Sequence, residues 1–240
     1  MFNFSQCLVY VKRIEGVRTQ LDAVGYLKSV KGLLGVTYRE LSAVLDIPES
    51  VLSRYVTGDM LPSVETAGEI LARLRERYPI TEVVRARFRM YDTYVDMSFV
   101  NTPDFWRLYE IYLTWRFPDV EVDVVLTAAA DGIPLAVAAA SRFEAPLVVA
   151  KTYREPGVEN YEYTYLREGR PVTLYVPAAQ LRRGDAVFIV DDIARTGKTL
   201  RALAGLAAKA GARVVGASVL VARSGLNIDL GFPVDVLYTY

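Results

Sequence analysis

The stretch Val187–Leu200, VFIVDDIARTGKTL, decides the fold. Its first four residues are apolar and suit a buried strand, which runs into two adjacent carboxylates, Asp191 and Asp192, then a short turn and the start of a helix. In a parallel α/β sheet, ligands sit outside the carboxyl ends of the strands, and unpaired N–H groups at a helix N-terminus attract phosphate. Gly197, Lys198 and Thr199 spell the end of a Walker loop, but that pattern needs a glycine five residues earlier, where Asp192 stands. Two acids ahead of a phosphate loop suit a phosphorylated sugar instead. Carboxylates accept hydrogen bonds from a ribose hydroxyl pair, while the N–H groups of Ala194, Arg195, Thr196, Gly197, Lys198 and Thr199 hold a 5′-phosphate.

An apolar run, an acidic pair and a T-G-x-T ending resemble the phosphoribosyl pyrophosphate (PRPP) motif of the type I phosphoribosyltransferase family. The rest of the second half fits. VDVVLTAAA, a turn over Asp131–Pro134, the helix LAVAAASRF, APLVVAKT, DAVFIVDD, the helix KTLRALAGLAAKAG and RVVGASVLVAR alternate strand with helix, which predicts a doubly wound parallel sheet. The resemblance assigns the diphosphate loop to Thr127–Pro134, where Ala128, Ala129, Ala130 and Gly132 supply small residues. Asp131 departs from that pattern, since a carboxylate repels diphosphate unless Mg²⁺ intervenes or the side chain turns away. Lys151, closing its strand, matches the basic residue the family places near the diphosphate. Tyr161, Tyr163 and Tyr165 alternate with polar residues, Glu168-Gly169 reads as a turn, and Pro171–Val176 returns, a pattern similar to the flexible hairpin of purine-type members. Arg154, Arg167 and Arg170 are its cations; none is assigned a catalytic role. The segment after the last of these strands, SGLNIDLGFPVDVLYTY, carries no base-recognition motif.

The first third is helical. Val17, Leu21, Val24 and Leu27 fall at helical spacing, and Thr37 with Glu40 spells a capping box ahead of Leu41, Val44 and Leu45. A second short helix starts at Pro48, with Val51, Leu52 and Tyr55 on one side. After Gly58 and Asp59, Ser63 and Thr66 open a third, with Ala67, Ile70, Leu71 and Leu74 core-spaced. Two short helices, a tight turn and a supporting helix make a helix-turn-helix. The run Y-R-E-L-S-x-x-L-x-I-x-x-S-x-L-S-R-Y resembles repressor-like modules, and the resemblance sends the helix beginning at Pro48 into the major groove of double-stranded DNA. Arg54 is the first candidate for contact, then Ser50 and Ser53, with Glu49, Thr57 and Arg39. A helical protein-interaction domain would share this packing. Pro79 breaks the helix, and Thr81–Phe88 is expected as a strand. The expected domains are 1–80, helix-turn-helix, and 81–240, ligand-binding.

Composition bounds the chemistry. With no histidine there is no imidazole base, and with the single Cys7 there is no internal disulfide. No apolar run reaches the roughly 18 residues of a membrane span. MFNFSQCLVYVKR lacks the order of a signal peptide, so a cytoplasmic protein is expected. Four Asn and three Gln in 240 residues fit a thermophile. Net charge is zero, but residues 1–90 hold thirteen Lys and Arg against ten acids, which permits DNA binding without demanding it.

The resemblance extends to fusions of the two modules, bacterial purine repressors and archaeal orotate-phosphoribosyltransferase-like regulators. It implies a homodimeric transcription regulator of nucleotide or central sugar metabolism genes that senses PRPP or a nucleotide, with Mg²⁺ entering alongside PRPP and no metal site of its own. The alternative is a working transferase that moves phosphoribose to a purine base or orotate. The added module, Asp131 in the diphosphate loop and the missing base motif favour the regulator.

Overall fold

The computed structural model describes residues 4–92 and 94–240, with side chains from residue 14 onward. Residues 1–3, and the side chains of the whole N-terminal stretch read for targeting, Cys7 among them, therefore lie outside what is described. The chain divides into two compact units, Met1–Ile111 and Tyr112–Tyr240.

The first unit opens with helix α1, Phe4–Leu34, followed by α2, Tyr38–Leu45, α3, Glu49–Thr57, and α4, Val64–Arg77. Each boundary has a chemical cause. Thr37 caps α2 by accepting from the Glu40 N–H at 3.2 Å, and Glu40 returns the bond to the Thr37 N–H at 2.8 Å. Asp46 ends α2 in the left-handed region, and Gly58 ends α3 the same way at φ 87°. Ser63 caps α4 by accepting from the Thr66 N–H at 3.1 Å. Leu41, Leu45, Leu52, Tyr55, Ala67, Ile70, Leu71 and Leu74 are buried against Ala23, Leu27 and Val30 of α1, so α1 and α4 clamp the two short helices.

The strand expected over Thr81–Phe88 is instead helix α5, Ile80–Arg87. V-R-A-R-F alternates, but Ile80, Val83 and Val84 recur at helical spacing and all three are buried, so tertiary burial overrides β propensity. Pro79 serves as the N-cap, and Glu82 pairs with Arg85 at 2.5 Å. A short ribbon, β1 (Arg89–Tyr91) with β2 (Tyr94–Asp96), leads to α6, Pro103–Arg116.

The second unit is a five-stranded parallel sheet. Its elements in chain order are β3 (Val124–Ala128), α7 (Ile133–Phe143), β4 (Leu147–Ala150), the hairpin β5 (Asn160–Arg167) with β6 (Arg170–Pro177), β7 (Ala186–Ala194), α8 (Lys198–Ala210), β8 (Arg213–Ala222) and β9 (Val234–Thr239). The spatial order is β4-β3-β7-β8-β9. The chain moves outward from β3 to β4, then returns to lay β7 on the other side of β3, so the crevice between the carboxyl ends of β3 and β7 is the topological switch point. The segment read as unremarkable after β8 supplies β9. Its buried Asp235 breaks the apolar pattern, and is satisfied by the Tyr112 hydroxyl at 2.5 Å and Arg116 Nε at 2.6 Å from α6.

Leu200, Leu203, Leu206 and Ala207 form the buried stripe of α8 against Leu126, Val187, Ile189 and Val219. On the other face Phe188 is fully buried, its ring centroid 4.8 Å from those of Phe117 and Phe143. Phe188→Ala is expected to cost about 3–5 kcal/mol, whereas Thr37→Ala, which removes a surface cap, costs about 1 kcal/mol. Urea unfolding checks both.

Candidate functional site

At the switch point a cavity of about 650 Å³ opens in the second unit. The β7 loop supplies Asp191 through Thr199, the β3 loop supplies Ala128 through Asp131, and the hairpin supplies Tyr165, Arg167, Glu168, Val172 and Leu174. The two loops singled out in the sequence thus line one cavity.

The β7 loop is built for an anion. Gly197 takes φ 68° as the N-cap of α8, and no side chain caps that helix. A side chain there would be strained in the left-handed region, and its Cβ would meet Arg201 Nη1 at 3.1 Å. Arg201 also braces the loop by donating to the Thr196 carbonyl at 3.2 Å. Helix α7 behind the other loop likewise starts at Gly132 with no side-chain cap. The N-terminus of α8 thus faces the cavity with the positive end of its dipole, whereas α7 begins outside the lining, with its Ile133 N–H donated to the Ala130 carbonyl at 3.2 Å and Pro134 offering no N–H. Gly132 answers a packing need, since a Cβ there would stand 2.7 Å from Thr127 Oγ1 and 3.7 Å from the Asp192 N–H nitrogen. The peptide bond between Ala129 and Ala130 is cis.

The acidic pair is divided by environment. Asp191 is 5% exposed; its Oδ1 accepts from the Asp192 N–H at 3.1 Å, and its buried Oδ2 has no partner. Burial holds its pKa well above the usual carboxylate range, the neighbouring Asp192 adds to that, and Arg167 works against it. Asp192 is half-buried and also raised, again chiefly by burial, with Asp131 contributing repulsion. Asp131 is thus close enough to be felt, and it is an exposed residue of the cavity wall. An unpaired buried carboxylate oxygen is a ready acceptor for sugar hydroxyls or a hard cation. Among the described residues no group of three or more acidic, Cys or His side chains is arranged to hold a metal alone.

Of the other expected ligand residues, Ala194, Arg195, Thr196, Lys198 and Thr199 line the cavity with Ala129 and Ala130. Lys151 and Gly132 do not: Lys151 Nζ pairs with Glu155, and its backbone pairs with Tyr175. Sequence reasoning missed Thr152, Tyr165, Glu168, Ile193 and Arg223. Arg223 directly follows β8, so the rule that ligands gather at strand carboxyl ends would have found it. Tyr165 and Glu168 belong to the hairpin whose alternation and turn the sequence shows, but which of its residues reach the cavity depends on the fold.

In the first unit, Glu49, Ser50, Arg54 and Thr57 of α3 and Arg39 of α2 are exposed, and Ser53 is half-buried. Leu52 and Tyr55 are buried beneath them. The Thr57 hydroxyl is engaged within its own turn, at 2.7 Å from Asp59 Oδ2 and 3.0 Å from the Ser53 carbonyl. Arg54 is the only basic residue of α3.

A helical unit with two short helices in a tight turn, and a parallel sheet whose switch point holds an acid pair and a phosphate loop, define a helix-turn-helix joined to a phosphoribosyltransferase-type fold. The chain belongs to the phosphoribosyl transferase domain family: that family's model matches residues 107–232, and a helix-turn-helix model matches 27–78. It is 32% identical to the purine biosynthesis transcriptional repressor PurR of Bacillus subtilis over 46% of this chain and 40% of that protein. It is 36% identical to xanthine phosphoribosyltransferase of Chloroflexus aurantiacus over 47% of this chain and 55% of that enzyme. The similarity thus spans about half the length of these two relatives. Against adenine phosphoribosyltransferase of Gluconacetobacter diazotrophicus the identity is 34% over 60% of this chain and 82% of that enzyme. Among solved structures, adenine phosphoribosyltransferase from Thermoanaerobacter pseudethanolicus superposes with a TM-score of 0.61 at 21% identity, covering 67% of this chain and 99% of that one. No helix among the described residues is long and apolar enough to cross a membrane.

The buried acid has a measurable consequence. Because folding raises the Asp191 pKa, its protonated form is the one the fold prefers, so its contribution is full below the unfolded value of about 3.9 and is lost as pH rises through the folded value. Asp191→Asn is therefore expected to stabilise the second unit by about 1–3 kcal/mol near pH 7–8, with the gain shrinking toward pH 4. Thermal scans across that range check the sign.

Proposed function

We propose that the chain is a DNA-binding regulator whose second unit senses PRPP or a nucleotide. One observation carries this: a single chain joins an α3 helix with a polar outer face to a cavity holding an acid pair and the uncapped N-terminus of α8. The 5′-phosphate lies against Arg195–Thr199, the ribose hydroxyls against Asp191 and Asp192, and the diphosphate against Ala128–Asp131. Mg²⁺ enters with the diphosphate; it would neutralise charge between that group and the carboxylates, Asp131 included, and the free Oδ2 of Asp191 suits such a cation or the hydroxyls it orients. The likeness to a purine repressor supports the pairing of the two modules.

Response requires that the ligand bind two conformations unequally and that DNA do the same, which makes the effect reciprocal. One α3 helix with one arginine offers few contacts, so two copies reading two half-sites supply useful affinity.

The second reading is an active transferase, supported by the match to most of an adenine enzyme. Catalysis in such a site is positioning and electrostatic stabilisation of a cationic ribose and a departing Mg²⁺-diphosphate.

A gel shift on the region upstream of the chain's own gene, with and without PRPP and Mg²⁺, tests the regulator. Ligand is expected to change the bound fraction, Asp192→Ala to abolish that change while leaving ligand-free DNA binding intact, and Arg54→Ala to weaken DNA binding by about 1–3 kcal/mol. No binding at low salt overturns the proposal. PRPP-dependent conversion of adenine, guanine, hypoxanthine, xanthine, uracil or orotate at an ordinary enzymatic rate would establish the transferase instead.

A further inference from the structure

We infer that the contact between Tyr163 and Gly205 is the seat that sets where the hairpin tip stands over the cavity. Gly205 is then a positioning residue for a site it does not line; this rests on the cavity being the phosphoribosyl site proposed above.

The strand β5 turns Tyr161, Tyr163 and Tyr165 inward, half-buried and packed on the core beneath α8 and the sheet. At the middle of these, the ring lies so close to the helix that a Cβ on Gly205 would stand 2.2 Å from Tyr163 Cε2 and 2.4 Å from Cδ2. No non-bonded carbon pair tolerates that distance, so the absent side chain is what lets the ring reach the helix backbone. Gly205 sits mid-helix in ordinary helical geometry, where glycine costs about 1 kcal/mol relative to alanine. Its use there answers the ring. Lys209, one turn further, closes the seat: Nζ donates to the Glu162 carbonyl at 2.6 Å and stands 5.9 Å from the Tyr163 ring centroid.

The other strand is held separately. Lys151 and Tyr175 exchange both backbone hydrogen bonds, at 2.9 and 2.8 Å, tying β6 to the end of β4. The hairpin root is thus fixed on two rigid elements, and only its far half reaches over the cavity. That half ends in a two-residue turn with Glu168 at φ 50° and Gly169 at φ 79°, the mirror-type turn that matches strand twist. Arg167 and Glu168 therefore project as one stiff piece.

Helix α8 serves both walls. Its first turn, with Gly197 and Thr199, forms the phosphate loop; Gly205 lies about 12 Å along the same helix. Tyr163 to Arg167 is about 13 Å along β5. Loop and tip are consequently hung from one helix at two points, and a shift of the ring at the seat is carried to Arg167, a cation of the cavity wall that Asp191 also lines.

The test uses the full chain. Gly205→Ala and Tyr163→Ala are compared with wild type by calorimetric titration with PRPP and Mg²⁺, and by limited trypsin digestion reading cleavage after Arg167, since the bond after Arg170 leads into Pro171 and resists trypsin. Both variants are expected to bind PRPP at least tenfold more weakly and to be cut several-fold faster at Arg167, with cleavage elsewhere unchanged. The double variant should be no weaker than Tyr163→Ala alone, because the two residues act through one contact. Wild-type affinity and wild-type cleavage in Gly205→Ala overturn the seat, as does faster cleavage spread evenly over the chain. Should wild type itself not bind PRPP, the proposed ligand fails, and cleavage at Arg167 alone decides the seat. Should Gly205→Ala not fold, Tyr163→Ala, which leaves α8 unaltered, decides it by the same readings.

Discussion

A carboxylate oxygen buried without a partner at the end of the central strand governs the second unit. Asp191 follows four apolar residues that must be buried for β7 to sit between β3 and β8, so it is drawn out of water with them. Burying an acid this way is costly unless something donates to it. Its surroundings provide only a partial answer: one backbone N–H, and the distant charge of Arg167. The unmet remainder is a demand that hydroxyl donors or a cation can satisfy, and it is paired with the uncapped end of α8, which favours an anion. The phosphorylated sugar proposed above would satisfy both kinds at once.

The first unit solves a different problem. Helices of eight and nine residues are too short to persist alone. They hold because Thr37 caps α2 and because Leu41, Leu45, Leu52 and Tyr55 are buried. The outer face of α3 is thereby released from any packing duty and can be varied without loss of fold.

Much of this was legible in the sequence because the signals were local. Thr37 with Glu40, Ser63 with Thr66, the Asp191-Asp192 pair ahead of Gly197, and the alternating tyrosines each carry their cause within a few residues. What escaped needed partners far along the chain. Thr81–Phe88 alternates like a strand, and only the burial of Ile80, Val83 and Val84 makes it a helix. Val234–Thr239 holds an aspartate at an interior position, which discourages a strand until Tyr112 and Arg116 are seen to satisfy it. Tyr165, Glu168 and Arg223 enter the cavity wall through topology, a property no window of sequence contains.

The single arginine of α3, flanked by Glu49 and by an Asp59 that holds the Thr57 hydroxyl, bears on how such a protein would be distributed in a cell. Attraction to DNA of any sequence grows with the number of phosphates neutralised, and a genome offers an enormous excess of such places. In the regulator proposed above, a helix this sparingly charged would be held weakly by the bulk of the chromosome. The free pool would then be large, and occupancy of a true site would be governed by base-edge fit and the joining of copies, so a modest shift in either would become a visible change in expression.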